Sequence, residues 1–337
     1  LRSADPGQPA GEVVVGEDQA WLISSPGDRY SDLEVWRLDL ETATPERVGT
    51  VDALLGPSSK ATSSGLDIAG WRCADGEMPR CATSIVELDR LDSSGEVVDQ
   101  VTLVERPGPL GSGEGAAIVG TTADSTWVAA EGSIIEVGDS GEVLSTVPTS
   151  HGEECVIEDR LYGLVDPNST LPAPDVVTLP EDPEDTDVLN AFSVVEPADG
   201  WRPVAGGGFE DSSRAEPLLG FCGKGQFEVM TPAGDLVATW RPGDGWSRRE
   251  AVDEPVDSEG RSAKGDFVRL RDGSVLERTG DGTYQPTPLR LPTPSTFDPA
   301  SGPVTISADS SEHLVAACVT WPESVESATT SCDVARR

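Results

Sequence analysis

Two histidines occur in the 337 residues, and one of them, His151, stands beside Glu153 and Glu154. A histidine with neighbouring carboxylates can serve as a general base or as a metal ligand. The second, His313, lies far away in sequence inside an expected strand, so His151 also reads as an exposed loop side chain. A second candidate is the acidic run 181–187, where Asp182, Asp185 and Asp187 offer the oxygen ligands that calcium takes. Its spacing departs from the Asp-x-Asp-x-Asp-Gly loop, and Pro167, Pro172, Pro174, Pro180 and Pro183 favour an extended, solvated excursion. The third candidate is Trp246 with Arg248 and Arg249, a composition over-represented in binding hot spots. With Arg29 and Tyr30 it can contact a carbohydrate, a peptide or an acidic partner; the alternative is a Trp packed on its neighbours. No catalytic residue is assigned. The sequence has no Gly-x-Ser-x-Gly elbow, no phosphate-binding glycine loop and no His-Glu-x-x-His.

These side chains must be held by strands. The stretch 123–148 runs from a tight turn into an aromatic-led strand (Ser125-Thr126-Trp127-Val128), a second apolar strand (Ser133-Ile134-Ile135-Glu136-Val137), then Asp139-Ser140-Gly141 and a third. Echoes occur at 17–22 and 158–162. A unit of this length cannot bury its own faces, so its repetition implies stacked units. The expected fold is all-β, a single β-propeller of seven four-stranded blades, with six or eight left open by irregular spacing. Blades of roughly 45 residues would use the whole chain. Third strands of the blades are expected at 33–38, 84–88, 133–137, 191–195, 226–230, 274–277 and 330–334. Residues 1–10 read as a flexible segment after a removed signal or anchor, and 11–337 as the propeller. How the last blade closes is open: 11–16 can complete it or begin the first. Binding groups are expected in the loops joining outer strands to the next inner strand, together with the loops between second and third strands.

Sixty acidic residues against twenty-four basic ones give a formal net charge of −36. Nucleic acid is a poor partner for such a surface, because phosphate contacts need Lys and Arg. Lys60, Lys224 and Lys264 are the only lysines, and with abundant Ala, Gly, Val and Pro this suggests a bacterial chain of high-GC coding. An even number of cysteines in a chain with no long apolar run points to disulfides and an exported, extracellular or cell-surface protein. Cys73 and Cys81 flank a turn-rich segment, and Cys318 and Cys332 lie on expected neighbouring strands. Cys155 and Cys222 remain, and their bond would tie the fourth blade to the fifth.

The run Ser125-Thr126-Trp127-Val128 with Ser133-Ile134-Ile135-Glu136-Val137 and Gly141-Glu142-Val143-Leu144-Ser145-Thr146-Val147-Pro148 resembles one blade of the bacterial YVTN-type and streptogramin-lyase-like propellers. The resemblance is fold-level, good for one unit, fair at three more and poor around 166–190. It implies a propeller and, from the lyases, a possible His–Glu site with magnesium at the mouth of a central channel. The sequence therefore favours a binding or recognition module, or a membrane-protein ectodomain, meeting a protein, peptide or glycan at the cell envelope. A metal-assisted lyase or hydrolase is the alternative. No cofactor is expected on the first reading; Ca²⁺ or Mg²⁺ belongs to the second.

Overall fold

The computed structural model describes residues 2–3, 11–25, 31–52, 54–75, 81–109, 115–150, 152–165, 192–198, 200–204, 218–223, 225–231, 236–248, 258–262, 266–280, 282–294, 304–324 and 327–337. The fold is an all-β propeller of seven four-stranded antiparallel blades, with no helix among the described residues. By internal contacts the chain divides into two compact units.

The first unit holds four blades. Its strands begin with β1 (Arg2–Ser3), whose blade is completed below. Blade I is β2 (Glu12–Val15), β3 (Ala20–Ser24), β4 (Leu33–Leu38) and β5 (Pro45–Val51). Blade II is β6 (Leu55–Ala61), β7 (Gly65–Cys73), β8 (Thr83–Asp92) and β9 (Val97–Pro107). The second unit follows with blade III, β10 (Ala117–Thr121), β11 (Ser125–Ala130), β12 (Ser133–Gly138) and β13 (Val143–Pro148). Blade IV is β14 (Glu153–Ile157), β15 (Arg160–Val165), β16 (Ser193–Ala198) and β17 (Gly200–Pro203). Blade V is β18 (Leu219–Gly223), β19 (Gln226–Met230), β20 (Leu236–Arg241) and β21 (Gly245–Arg248). The chain then returns to the first unit for blade VI, β22 (Ser258–Arg261), β23 (Phe267–Leu270), β24 (Ser274–Arg278) and β25 (Tyr284–Arg290). Blade VII is β26 (Thr305–Ser310), β27 (Leu314–Ser324) and β28 (Ser327–Arg336), with β1 as its fourth strand.

Burial follows the place of a strand within its blade. Second and third strands are packed on both faces, so β3 is buried throughout and β8 nearly so. Outer strands face solvent, as in β13, where Val143 and Leu144 are each 51% exposed. One apolar cluster joins blades I and II through Trp21, Val35, Leu54, Leu66 and Ile68. Another joins blades VI and VII through Phe267, Leu289, Val315 and Trp321. In the second unit, Tyr162, Phe192, Phe227 and Trp240 share a cluster. The hairpin from β11 to β12 turns on Glu131 and Gly132, both at positive φ (48° and 74°), the pair of left-handed residues that a two-residue hairpin of this twist requires.

Three details differ from the sequence reading or complete it. In blade V the segment 226–230 is the second strand, not the third; the third is β20, and a Pro242-Gly243-Asp244 turn leads to a short outer strand. The segment 11–16 contributes the first strand of blade I. Of residues 1–10 only Arg2 and Ser3 are described, and they pair antiparallel with Thr329 and Ala328 of β28, which closes blade VII. Disulfides join Cys73 to Cys81, Cys155 to Cys222 and Cys318 to Cys332. The second of these ties β14 to β18, the first strands of blades IV and V.

Candidate functional site

Arg29, Tyr30, His151, Asp182, Asp185, Asp187 and Arg249 lie outside the described residues. Trp246 sits on β21 opposite Trp240, half-buried against the apolar cluster of blades IV and V. Arg248 is the last residue of the same strand. Both therefore belong to an outer strand rather than to the blade-connecting loop in which the sequence placed them. The short turn at 242–244 brings the chain back along the blade edge before that loop begins.

The residues that do line a concavity are on first strands of the first unit. A cavity of about 540 Å³ is bounded by β2, β6, β22 and β26, with Glu12, Lys60, Asp266 and Asp309 on its wall. Its volume falls within the roughly 300–1,000 Å³ of small-molecule sites. The local reason for its polarity is backbone accounting. First strands of neighbouring blades run side by side without a continuous ladder, so their inward N–H groups need other acceptors. Alternate residues of β26 supply them. Ser307 Oγ accepts from the Val13 N–H at 2.8 Å, and Asp309 Oδ2 accepts from the Val15 N–H at 2.8 Å. Ser58 Oγ plays the same part for the Ile118 N–H at 3.0 Å. One backbone bridge, Ser262 to Ile306, links blades VI and VII directly.

The charged groups of the cavity are held differently. The Ser59 hydroxyl donates to Glu12, and the Ser262 hydroxyl donates to Asp266. Asp309 also accepts from the Ser310 N–H at 2.8 Å. Burial pushes the Asp309 carboxyl above its ordinary range; the Lys60 charge and the two N–H donors oppose that shift, and Asp266 adds to it. Lys60 is exposed, and among the described residues it forms no ion pair or hydrogen bond. It is also the only lysine described. Arg261, on the blade VI side, donates to the Tyr284 hydroxyl at 3.4 Å.

Among the described residues, the one place where three Cys, His, Asp or Glu donors lie within 4.8 Å of one another is Cys73, Asp75 and Cys81. Two of those three are the disulfide sulfurs, which are not thiolate ligands. The cavity carboxylates do not converge on one point.

A second ionisable group lies within blade II. Asp89 on β8 is fully buried; its Oδ1 accepts from Gln100 Nε2 at 2.8 Å and its Oδ2 has no hydrogen-bond partner among the described residues. Two residues along, Glu87 is bound by the Arg72 guanidinium, which also reaches Asp52 at 3.3 Å. Burial is the main force that raises the Asp89 carboxyl to about 6; the Gln100 hydrogen bond opposes it and the Glu87 charge adds to it. Asp89 does not line the first-strand cavity, so it is part of the blade and not of that site.

No protein-family model and no curated protein sequence matches the chain. Solved structures do. The β-propeller domain of the trilobed protease from Pyrococcus furiosus matches with a TM-score of 0.50 at 10% identity, over 95% of this chain and 94% of that one. The chain has the β-propeller fold. A periplasmic gluconolactonase of Pseudomonas aeruginosa (TM-score 0.43, 11% identity, 85% and 86% covered) and a protein from Lactobacillus plantarum (0.44, 10%, 85% and 86%) are more distant. At such identities the likeness is one of fold alone.

The sequence reading missed Glu12, Lys60, Asp266 and Asp309. One signal was present: first strands with polar residues at alternate positions, Thr305-x-Ser307-x-Asp309 and Ser58-x-Lys60, where a blade strand would otherwise be apolar.

Proposed function

We propose that the protein is an exported binding module whose small polar ligand, the end of a peptide or a glycan of the cell envelope, enters the cavity between the first strands of blades VI, VII, I and II. The observation that carries this reading is the cavity itself: its wall is fixed by backbone-anchored Ser58, Ser307 and Asp309, while Lys60 is exposed and its side chain forms no ion pair or hydrogen bond among the described residues. A wall held in place before the ligand arrives loses little entropy on binding. Export is supported by the three disulfides, which are typical of oxidising compartments. The blade-like resemblance of 125–148 to YVTN-type repeats supports a bacterial envelope setting.

The test is a thermal melt of the disulfide-intact protein against a panel of envelope sugars and short peptides. It is run beside Thr305→Trp, which puts an indole into the cavity from a half-exposed position. A ligand that binds only the native state raises the midpoint in proportion to the logarithm of its concentration. The reading expects such a rise in the wild type and none in a folded Thr305→Trp. A rise of equal size in both would place the ligand elsewhere.

A further inference from the structure

From the placement of Lys60 and of Asp309 and Asp266 on one cavity wall with no ion pair between them, we infer that the ligand is a zwitterion, an amino acid or short peptide whose carboxylate meets Lys60 and whose ammonium meets Asp309 and Asp266. The inference rests on the binding reading above and names the ligand class for that cavity.

Lys60 is the starting point. In a chain with more than twice as many acids as bases, a basic side chain is expected to find a carboxylate, as Arg72, Arg90 and Arg269 do. Lys60 has none within 4 Å among the described residues, although it faces a cavity that carries three acids. The acids are occupied by other donors. Asp309 takes two backbone N–H groups and Asp266 a serine hydroxyl; neither forms an ion pair within 4 Å among the described residues, although the Lys60 charge acts on Asp309 across the cavity. Glu12 takes the Ser59 hydroxyl. The wall thus carries both signs, Lys60 and Arg261 with Glu12, Asp266 and Asp309, and each acid is anchored by hydrogen bonds of its own.

Each simple ligand leaves part of this pattern unmet. An anion meets Lys60 but approaches Asp266 and Asp309 within a strongly acidic molecule, and a lone cation meets the acids but approaches Lys60. A neutral sugar offers hydroxyls to these groups but no opposite charge, so each hydrogen bond is charged on one side only. A zwitterion satisfies both signs at once, and charged hydrogen bonds of this kind are the strong ones. Arg261, which donates to the Tyr284 hydroxyl, is a second cation on the blade VI side of the same wall.

The experiment is calorimetric titration with a ladder of ω-amino acids, glycine, β-alanine, 4-aminobutyrate, 5-aminopentanoate and 6-aminohexanoate, plus glycylglycine. Their N-acetyl forms and the matching alkylamines are the single-charge controls. One member of the ladder is expected to bind at least about 10-fold tighter than both of its controls, the loss of one charged hydrogen bond being worth about that factor. Lys60→Met should lower the affinity by about 10-fold or more, Lys60→Arg should keep most of it, and Asp309→Asn should lower it for the amine-bearing probes. Lys60 is exposed and its side chain has no ion pair or hydrogen bond among the described residues, so Lys60→Met is expected to melt with the wild type. Equal binding of zwitterion and acetylated control would overturn the inference. Binding of glucose or N-acetylglucosamine that Thr305→Trp abolishes and Lys60→Met leaves intact would overturn it too, yet would keep the cavity as the binding site. Binding unaffected by Thr305→Trp would overturn both.

Discussion

Replacing Asp89 by Asn should make the protein more stable at neutral pH, and the gain should vanish in acid. The carboxyl is fully buried, with one hydrogen bond from Gln100 and, among the described residues, no donor for its second oxygen. Its folded value of about 6 lies above the ordinary 3.8, so the native state favours the protonated form. A raised carboxyl destabilises the fold when ionised. The penalty is absent below about pH 4, grows as pH rises through the interval up to about 6, and is full above it. At 1.36 kcal/mol per pH unit the full penalty is about 3 kcal/mol. Asn is uncharged at every pH and keeps an acceptor for Gln100, but its amide N–H₂ faces the position where Oδ2 had no donor. Leaving that group unmatched costs about 1 kcal/mol, so the net gain at pH 8 should be about 2 kcal/mol. Urea unfolding followed by tryptophan fluorescence, at unit steps from pH 4 to pH 8, reads this directly. The difference between variant and wild type should fall by about 3 kcal/mol towards pH 4, where the Asp is protonated and only the cost of the unmatched Asn amide, about 1 kcal/mol, is left. A variant that is less stable at pH 8, or a difference that does not change with pH, would refute the argument that burial governs Asp89.

Other perturbations have magnitudes set by the same geometry. Removing the Cys155–Cys222 bond, which closes a separation of 67 residues, should cost about 4 kcal/mol by loop entropy, against about 3 for Cys318–Cys332 with its separation of 14. Denaturant midpoints of the two double Ser variants would rank them. Ser307→Ala strips the Val13 N–H of its acceptor and should cost about 1–2 kcal/mol by chemical denaturation, with faster hydrogen exchange at that amide. Glu131→Asn relieves a left-handed residue in the β11–β12 hairpin and should raise stability by about 0.5–1 kcal/mol, checked by the shift in melting midpoint.

What the sequence showed of the fold came from strands whose chemistry is local. The runs at 33–38, 133–137 and 274–277 carry their turns beside them, and each is the third strand of a blade. Blade V misled because Thr231-Pro232-Ala233-Gly234-Asp235 looks like the turn before an outer strand, while the actual outer strand, β21, is only four residues long and shows no alternation. The closing strand was illegible for a simpler reason: two residues, Arg2 and Ser3, carry no pattern. The cavity was harder still. Its wall joins Val13 to Ser307 and Val15 to Asp309 across 294 residues each, and nothing near either residue announces the other. A serine or aspartate at alternate positions of a short strand reads as a solvent face until the neighbouring blade's unpaired N–H groups are placed beside it. Lys60 stands in the sequence as one of three lysines; that it faces the cavity without an ion pair among the described residues shows only in three dimensions.

The most direct test of the cavity as a ligand site is calorimetric titration of the panel compound with the largest melting shift into wild type and Thr305→Trp. The account predicts one-to-one binding in the wild type and no heat of binding in a variant that melts as a folded protein. Equal affinity in the two would contradict it and move the ligand away from the first strands.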